Sequence, residues 1–360
     1  MNKKILYISN MYPSKKYKHY GSFVKNMEND IRNLGYQIDK VVMTKQDFLL
    51  LKLVSYLVFY TTIFVKSLLH RYDIIYVHFI SHSAHGIIKK DAKLFLHAHG
   101  NDVVPDTKKD EKNVSRSQKA LKKADFVVVP STYFKDVMMQ DYQVEEEKIY
   151  VYPSGGVSFD LFYSQEKKTA QEKVGLNPKY QYIGMISRIE KDKGWDTLIE
   201  AISILKKQGN FKDKKLLIVG TGEEQPLLEE EIKKNHLEED IIQKEFAYQQ
   251  DLVYYYNALD LFVLPTKRKS ESLGLVGLEA MACKIPCVIC TLYGPRTYAK
   301  SQNALTYQQD VDGTILASKI QEFFELKEVD KEKMIQNAFL TSKEYDSKLL
   351  ITQLQDILEK

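Results

Sequence analysis

The sequence predicts an α/β protein of two Rossmann-like domains facing a central cleft. Three observations carry that expectation. The 360 residues exceed what one hydrophobic core serves comfortably, which points to about two domains. Val/Ile-rich runs alternate with helical patterns along the whole chain, the rhythm of parallel sheets covered on both faces. The alternation pauses once, between Tyr152 and Tyr182, at Pro153-Ser154-Gly155-Gly156 and Asn177-Pro178, residues that break regular structure. The expected division is residues 1–160, residues 161–340, and a last segment, 341–360, as a helix crossing back to the first domain.

The strands read, in order, as Lys4–Ser9, Asp39–Met43, Ile74–His78, Lys93–His97, Phe126–Pro130 and Lys148–Tyr152. After the pause come Tyr182–Ser187, Leu216–Gly220, Leu261–Leu264 and Pro286–Cys290. Each is a short β-branched or aromatic run bounded by polar or turn residues. Helical spacing of apolar residues predicts Phe23–Leu34, Leu49–His70, Ser115–Ala124, Asp196–Lys207, Gln225–Asn235 and Gly277–Cys283 between them.

Bulk composition excludes several classes. Hydrophobic residues make up 44% and charged residues 28%, ordinary for a globular chain and far from disorder. The three cysteines, Cys283, Cys287 and Cys290, cluster within eight residues. An odd, clustered set makes no disulfide framework and fits a reducing compartment. No zinc-type spacing follows them, so they read as filling for a buried segment. Met1–Lys4 leads straight into the first strand, so no leader is expected. Residues 1–155 carry 24 Lys+Arg against 16 Asp+Glu, a net +8, while residues 156–360 carry 28 against 32, a net −4. The first half is the candidate for an anionic surface or substrate.

Five motifs carry possible chemistry. The first is Glu271-Ser-Leu-Gly-Leu-Val-Gly-Leu-Glu279. A helix beginning near Ser272 would put the two carboxylates about two turns apart, near one face. Its free N–H groups would form an anion site. The second is Ser187-Arg188 through Lys193-Gly194, a basic loop at a strand end. The chain has 46 lysines and six arginines, so an Arg there is less often filler. Its planar fork suits a diphosphate. The third is Val219-Gly220-Thr221-Gly222, which lacks the third Gly of a dinucleotide turn because Gln225 stands there. The fourth gathers five of eight histidines: His78, His82, His85, His97 and His99. His97 and His99 follow a strand and are expected to point into the cleft, with core packing an open reading for His78 and His97. Their spacing matches no metal signature. The fifth is Tyr20-Gly21-Ser22, either a phosphate-side loop or a helix capped by Ser22.

Together these segments resemble the family-4 retaining glycosyltransferases of GT-B architecture, over nearly the whole chain. The Glu-x7-Glu core of Ser270 through Cys283 is the most specific part. Arg188…Lys193-Gly194, Gly220-Thr221-Gly222, Leu264-Pro265, His97-Ala-His99-Gly100-Asn101-Asp102 and Ala124-Asp125-Phe126…Pro130-Ser131 match in order. The resemblance implies that Arg188 and Lys193 hold the donor diphosphate and stabilise it as it leaves. It implies that Glu271 holds hydroxyls of the transferred sugar, aided by backbone near Leu273, Gly274 and Leu275. Glu279 would take the ribose, His99 would sit by the sugar, and Gly21, Gly220 and Gly222 would line the donor. It further implies retention of configuration, a UDP-sugar as favoured donor, no cofactor and no metal. The sequence departs from the family pattern at Ser187, at Lys284-Ile285, at Tyr293-Gly294-Pro295-Arg296-Thr297 and around Phe246–Tyr248.

The segment Phe48–Leu69 reads either as a core helix or as an interfacial one. Its uncharged run, Leu53–Val65, is shorter than the ~20 residues a membrane span needs. Flanking Lys45, Lys52, Lys66 and Arg71, with Lys15-Lys16-Lys18, Lys89-Lys90 and Lys108-Lys109, favour an anionic bilayer. The expectation is a cytoplasmic enzyme, peripheral on the inner membrane face, acting on a lipid-linked glycan in surface polysaccharide assembly. Two rivals remain: a non-catalytic accessory subunit of GT-B fold, and a nucleotide-sugar epimerase. Nucleic acid is excluded as a partner, because no recognisable module accompanies the basic patches.

Overall fold

The computed structural model describes residues 3–18, 20–108, 110–245, 247–309 and 312–360. Lys109 and Phe246, named above, lie outside the described residues. The chain forms two compact units: Met1–Gly155 with Lys348–Lys360, and Gly156–Ser347.

The first unit runs β1 (Lys4–Tyr12), α1 (Ser22–Asn33), β2 (Gln37–Thr44), α2 (Leu49–Leu69), β3 (Ile74–His78), α3 (Ile80–Ser83), β4 (Lys93–His97), α4 (Glu111–Leu121), β5 (Phe126–Val129), α5 (Thr132–Gln140) and β6 (Ile149–Val151). Its sheet is parallel, in the order β2-β1-β3-β4-β5-β6. The second unit runs α6 (Lys167–Lys173), β7 (Gln181–Ile186), α7 (Trp195–Lys207), β8 (Lys214–Val219), α8 (Gln225–Lys234), β9 (Ile241–Lys244), α9 (Leu252–Asn257), β10 (Leu261–Leu264), α10 (Leu275–Ala282), β11 (Cys287–Cys290), β12 (Leu305–Tyr307), α11 (Thr314–Glu325) and α12 (Glu328–Lys343). Its parallel sheet has the order β12-β11-β10-β7-β8-β9. Strands β3, β4 and β10 keep the expected bounds. Strands β9 and β12 complete the second sheet beyond the expected set.

Central strands are buried on both faces, which explains their unbroken apolar runs. Tyr7, Tyr76 and Phe95 fill the core of the first unit. The last helix, α13 (Ser347–Leu358), adds Leu350, Leu354, Ile357 and Leu358 to that same core. Their spacing of three and four residues makes one helix face. In the second unit the three cysteines are buried and form no disulfide among the described residues. Burial pushes the Cys283 and Cys287 thiols well up, so they stay protonated and act as packing groups.

Helix α2 departs from a core helix. Only Phe59, Ile63 and Ser67 are buried among its 21 residues. Tyr56 and Tyr60 extend that stripe toward α3, with Tyr60 Oη donating to the His82 carbonyl at 3.1 Å.

Leu354 is fully buried. Leu354→Ala is expected to cost about 2–5 kcal/mol, seen as a lower urea midpoint for the first unit. An unchanged midpoint would show that α13 adds little to this core.

Candidate functional site

Strand order reverses between β7 and β10 in the second sheet. In open α/β sheets ligands bind outside the carboxyl ends of the strands at such a point. The loops leaving β7 and β10 flank it. One supplies Arg188, Glu190, Lys193 and Gly194. The other supplies Thr266, Arg268, Glu271 and Gly274.

Lys193 Nζ donates to Glu271 Oε2 at 2.6 Å, and the two side chains are only 14% and 13% exposed. Thr266 Oγ1 donates to the same oxygen at 3.2 Å. Burial pushes the Glu271 carboxyl up, but the Lys193 charge and these hydrogen bonds outweigh it and hold it below the usual carboxylate range. Glu271 is therefore ionised and its charge is balanced by Lys193. Beside this pair, Arg188 Nη1 meets Glu190 Oε1 at 2.5 Å, and Arg268 Nη1 meets Glu190 Oε2 at 3.2 Å. One carboxylate thus joins two guanidiniums. Three cations against two carboxylates leave this corner positive.

Glycines set the loop geometry. Gly194 has φ +82°, and a Cβ there would lie 2.0 Å from the Pro265 carbonyl oxygen. The β7 and β10 loops touch backbone to backbone at that position. A Cβ on Gly220 would lie 2.0 Å from the Ser187 oxygen, and one on Gly222 would lie 2.1 Å from the Ile189 oxygen. Ile189 N–H donates to Thr221 O at 3.2 Å, and Glu224 N–H to Ile189 O at 3.0 Å. The Gly220-Thr221-Gly222 turn therefore clamps the Arg188 loop.

The Glu-x7-Glu segment corrects the sequence reading. Helix α10 starts at Leu275, not near Ser272, because Gly274 takes a left-handed conformation at the N-cap. Glu271 lies in the irregular loop before it, so the two acids do not share a helix face. Leu273 is buried. The first N–H groups of α10, from Leu275 onward, have no partner four residues back within the helix. Tyr298 Oη donates to the Gly274 carbonyl at 2.9 Å and fixes this turn. A Cβ on Gly294 would come within 2.3 Å of the Glu271 oxygen, so the Tyr293–Thr297 loop packs directly on the Glu271 backbone. Glu279, in the second turn of α10, accepts from Tyr256 Oη at 2.7 Å. Burial lifts its carboxyl to about 7 despite that hydrogen bond.

Gly21 and His99 belong to the first unit. Gly21, with φ +73°, caps α1 and passes so close to Met11 that a Cβ would meet its backbone at 2.7 Å. Ser22 is the first helical residue and does not cap. His99 lies on the loop after β4, ringed by Phe23 (4.9 Å), Phe79 (4.7 Å) and His97 (4.2 Å between centroids). Its Nε2 is 2.9 Å from His78 Nδ1. Burial, then His97 and His78, push His99 well below the usual histidine range, so it is neutral. His78 and His97 are buried core residues paired on neighbouring strands β3 and β4, the packing reading left open for them above. His82 and His85 lie apart, under α2. Nitrogens of His78, His97 and His99 lie within 4.8 Å of one another, close enough for a metal ion. Within this group His78 Nδ1 and His99 Nε2 are hydrogen-bonded to each other.

Sequence reasoning gave no role to Arg268, nor to Glu190 and Asp102 inside the motifs it quoted. The rarity of arginine, which flagged Arg188, applies equally to Arg268. Asp102 is buried and accepts the N–H groups of His99 (3.0 Å), Gly100 (2.9 Å) and Ile80 (3.0 Å). It shapes the His99 loop, a role that only tertiary contacts reveal.

The high proton affinity of Glu279 has a sign that can be checked. Between its ordinary 4.5 and about 7, the folded chain holds a proton that the unfolded chain releases. This group's contribution therefore falls as pH rises through that window. Glu279→Gln keeps the Tyr256 bond without the charge. It should match wild type near pH 5 and exceed it near pH 8 by about 3 kcal/mol at most. Urea melts at both pH values decide, and a difference that does not change with pH would mean normal titration.

Comparison with known proteins bears on the family and the fold. Residues 166–341 match the family model for glycosyl transferases group 1. Residues 27–155 match glycosyltransferase family 4. A D-inositol 3-phosphate glycosyltransferase from Segniliparus rotundus is 30% identical over 162 residues, covering 44% of this chain and 35% of that protein. The capsular polysaccharide biosynthesis glycosyltransferase CapM of Staphylococcus aureus is 28% identical over 171 residues, covering 47% and 44%. The chain thus spans less than half the length of these curated relatives. The Anabaena HepE structure, solved with UDP-glucose, superposes with TM-score 0.74 at 18% identity, covering 99% of this chain and all of that one. The two family matches lie one in each unit, and with the paired parallel sheets they place this chain in the family-4, group 1 glycosyltransferases of GT-B fold.

Proposed function

We propose that this chain moves a sugar from a nucleotide-sugar donor to a lipid-linked glycan acceptor in surface polysaccharide assembly. Transfer retains configuration, needs no divalent metal, and takes place at the cytoplasmic membrane face. The observation that carries the reading is the cation group Arg188, Lys193 and Arg268 at the switch point of the second sheet. The likeness to CapM, a capsular polysaccharide biosynthesis glycosyltransferase, supports the surface-polysaccharide part of this reading. UDP is the first donor nucleotide to test, since HepE was solved with UDP-glucose.

The chemistry follows from charge. A diphosphate leaving group gains negative charge as the glycosidic bond breaks. Fixed cations and helix N–H groups stabilise that charge without reorganising. In the free chain Glu190 occupies both guanidiniums, so an arriving diphosphate competes with one carboxylate for two arginines. Glu271, held ionised by Lys193, accepts hydroxyls of the transferred sugar. Glu279 accepts those of the ribose. His99 is neutral and serves as a hydrogen-bonding group, not as a cation. The leaving diphosphate takes the acceptor proton on the same face, so no carboxylate base is required.

Arg188 is 66% exposed, so Arg188→Ala should melt like wild type yet transfer about 10²–10³-fold more slowly. Near-normal turnover would remove Arg188 from the reaction. EDTA should leave the wild-type rate unchanged. In a metal-free thermal-shift panel, UDP at about 100 times its dissociation constant should add about 2.7 kcal/mol, and less for Glu279→Ala. No shift with any nucleotide would favour an accessory subunit, and turnover of donor without acceptor would favour an epimerase.

A further inference from the structure

Helix α2 is long and apolar enough to cross a membrane, yet most of it faces outward. Leu50 is 73% exposed, Leu57 66% and Leu53 59%, and Val54, Val58 and Val65 are about half exposed. A helix apolar all round belongs in a core or in lipid, and a bare patch of this kind marks an interaction surface. The opposite stripe, Phe59, Ile63 and Ser67, is fastened to the first unit. Ser67 Oγ accepts the Ile88 N–H at 3.1 Å, and Lys66 pairs with Asp39 at 2.5 Å. A helix joined to a soluble sheet along its length cannot thread a bilayer, but it can lie in one.

The surrounding charge identifies the occupant. Helix α2 holds two lysines and no acid. At its N-terminal end the β1–α1 loop folds against the β2–α2 junction, with Lys16 paired to Asp47 and Lys45 4.9 Å from the Tyr17 ring. Lys15, Lys18, Lys45 and Lys52 are exposed there. At the other end Arg71 and Lys90 are exposed. The acids nearby are largely engaged: Asp39 with Lys66 and Tyr72, Asp47 with Lys16, and Asp73 with the Lys4 N–H. Asp91 remains exposed beside Lys90. An antiparallel second copy would set basic ends against basic ends. An anionic leaflet satisfies both the apolar face and its basic ends.

We propose that α2 docks in the plane of an anionic membrane leaflet, immersing the Leu50, Leu53, Leu57 face with Lys45, Lys52 and Arg71 at headgroup level. This deepens the reading of a lipid-linked acceptor by giving the first unit a membrane-facing side. The polarity of the fold adds a direction. Helix α2 begins at the carboxyl end of β2 and runs back antiparallel to the strands. Its Phe48–Leu51 end therefore sits at the sheet edge that carries the Gly21 and His99 loops.

Co-sedimentation of the full chain with vesicles tests this without donor or acceptor, so its outcome is separate from that of the transfer reading. At low salt, wild type should pellet with phosphatidylcholine vesicles containing about 30 mol% phosphatidylglycerol. It should pellet less with phosphatidylcholine alone, and less at high salt. Leu53→Glu with Leu57→Glu should weaken anionic-vesicle binding at least about tenfold with an unchanged melting curve. Leu340→Glu, at an exposed site on α12, should bind as wild type. As a second readout, a Leu57→Trp reporter should shift to the blue on anionic vesicles. Wild type left in the supernatant, or the double variant binding normally, overturns the proposal. So does self-association without vesicles that the double variant abolishes, which would make the face an interface between copies.

Discussion

The largely enclosed ion pair of Lys193 and Glu271 organises the second unit's candidate site. Removing two charges from water costs several kcal/mol per ion, and their attraction repays that only with good geometry and further hydrogen bonds. Here the geometry comes from backbone. Gly194 lets the β7 loop press against Pro265, and Asp192 O accepts the Lys267 N–H at 2.8 Å. The Gly220 turn supports the β7 loop from one side, and the Gly294 loop supports the Glu271 segment from the other. Four loops from four strand ends thus converge on one pair of opposite charges. The pair lies at the centre of the candidate site.

Much of the fold was legible because central parallel strands must be apolar on both faces. Ile74–His78 and Leu261–Leu264 stand out for that reason, and the Gly/Pro-rich pause before Tyr182 marks where one rhythm stops. What stayed hidden lies where local pattern is weak. Strand β9 ends in Gln243-Lys244, and β12 is three residues long; neither resembles a strand until its neighbours exist. Arg268 sits inside Lys267-Arg268-Lys269, a run that reads as a solvated face. Its engagement by Glu190 arises only when strands 78 positions apart in sequence come together.

The Glu271–Glu279 spacing shows a different failure. Eight residues are two helical turns only if the helix spans them, and one left-handed glycine moves its start. The helix geometry expected to join these two residues is what the left-handed glycine changes. Histidines show the reverse case: spacing gave no signature, yet adjacent strands brought His78, His97 and His99 into one aromatic stack, where burial removes their charge.

Helix α13 has a consequence for the order in which the chain is made. Residues of the first unit's core come from both sides of the second unit: Tyr7 and Phe95 before it, Leu350, Leu354 and Leu358 after it. At about 5–20 residues per second, translation needs on the order of 10–40 s to pass from residue 155 to residue 360. The second unit is continuous in sequence and can close during that interval. The first unit, although begun first, holds an uncovered hydrophobic face until α13, Ser347–Leu358, arrives. The nascent protein therefore matures back to front, and its early half depends on shielding while it waits.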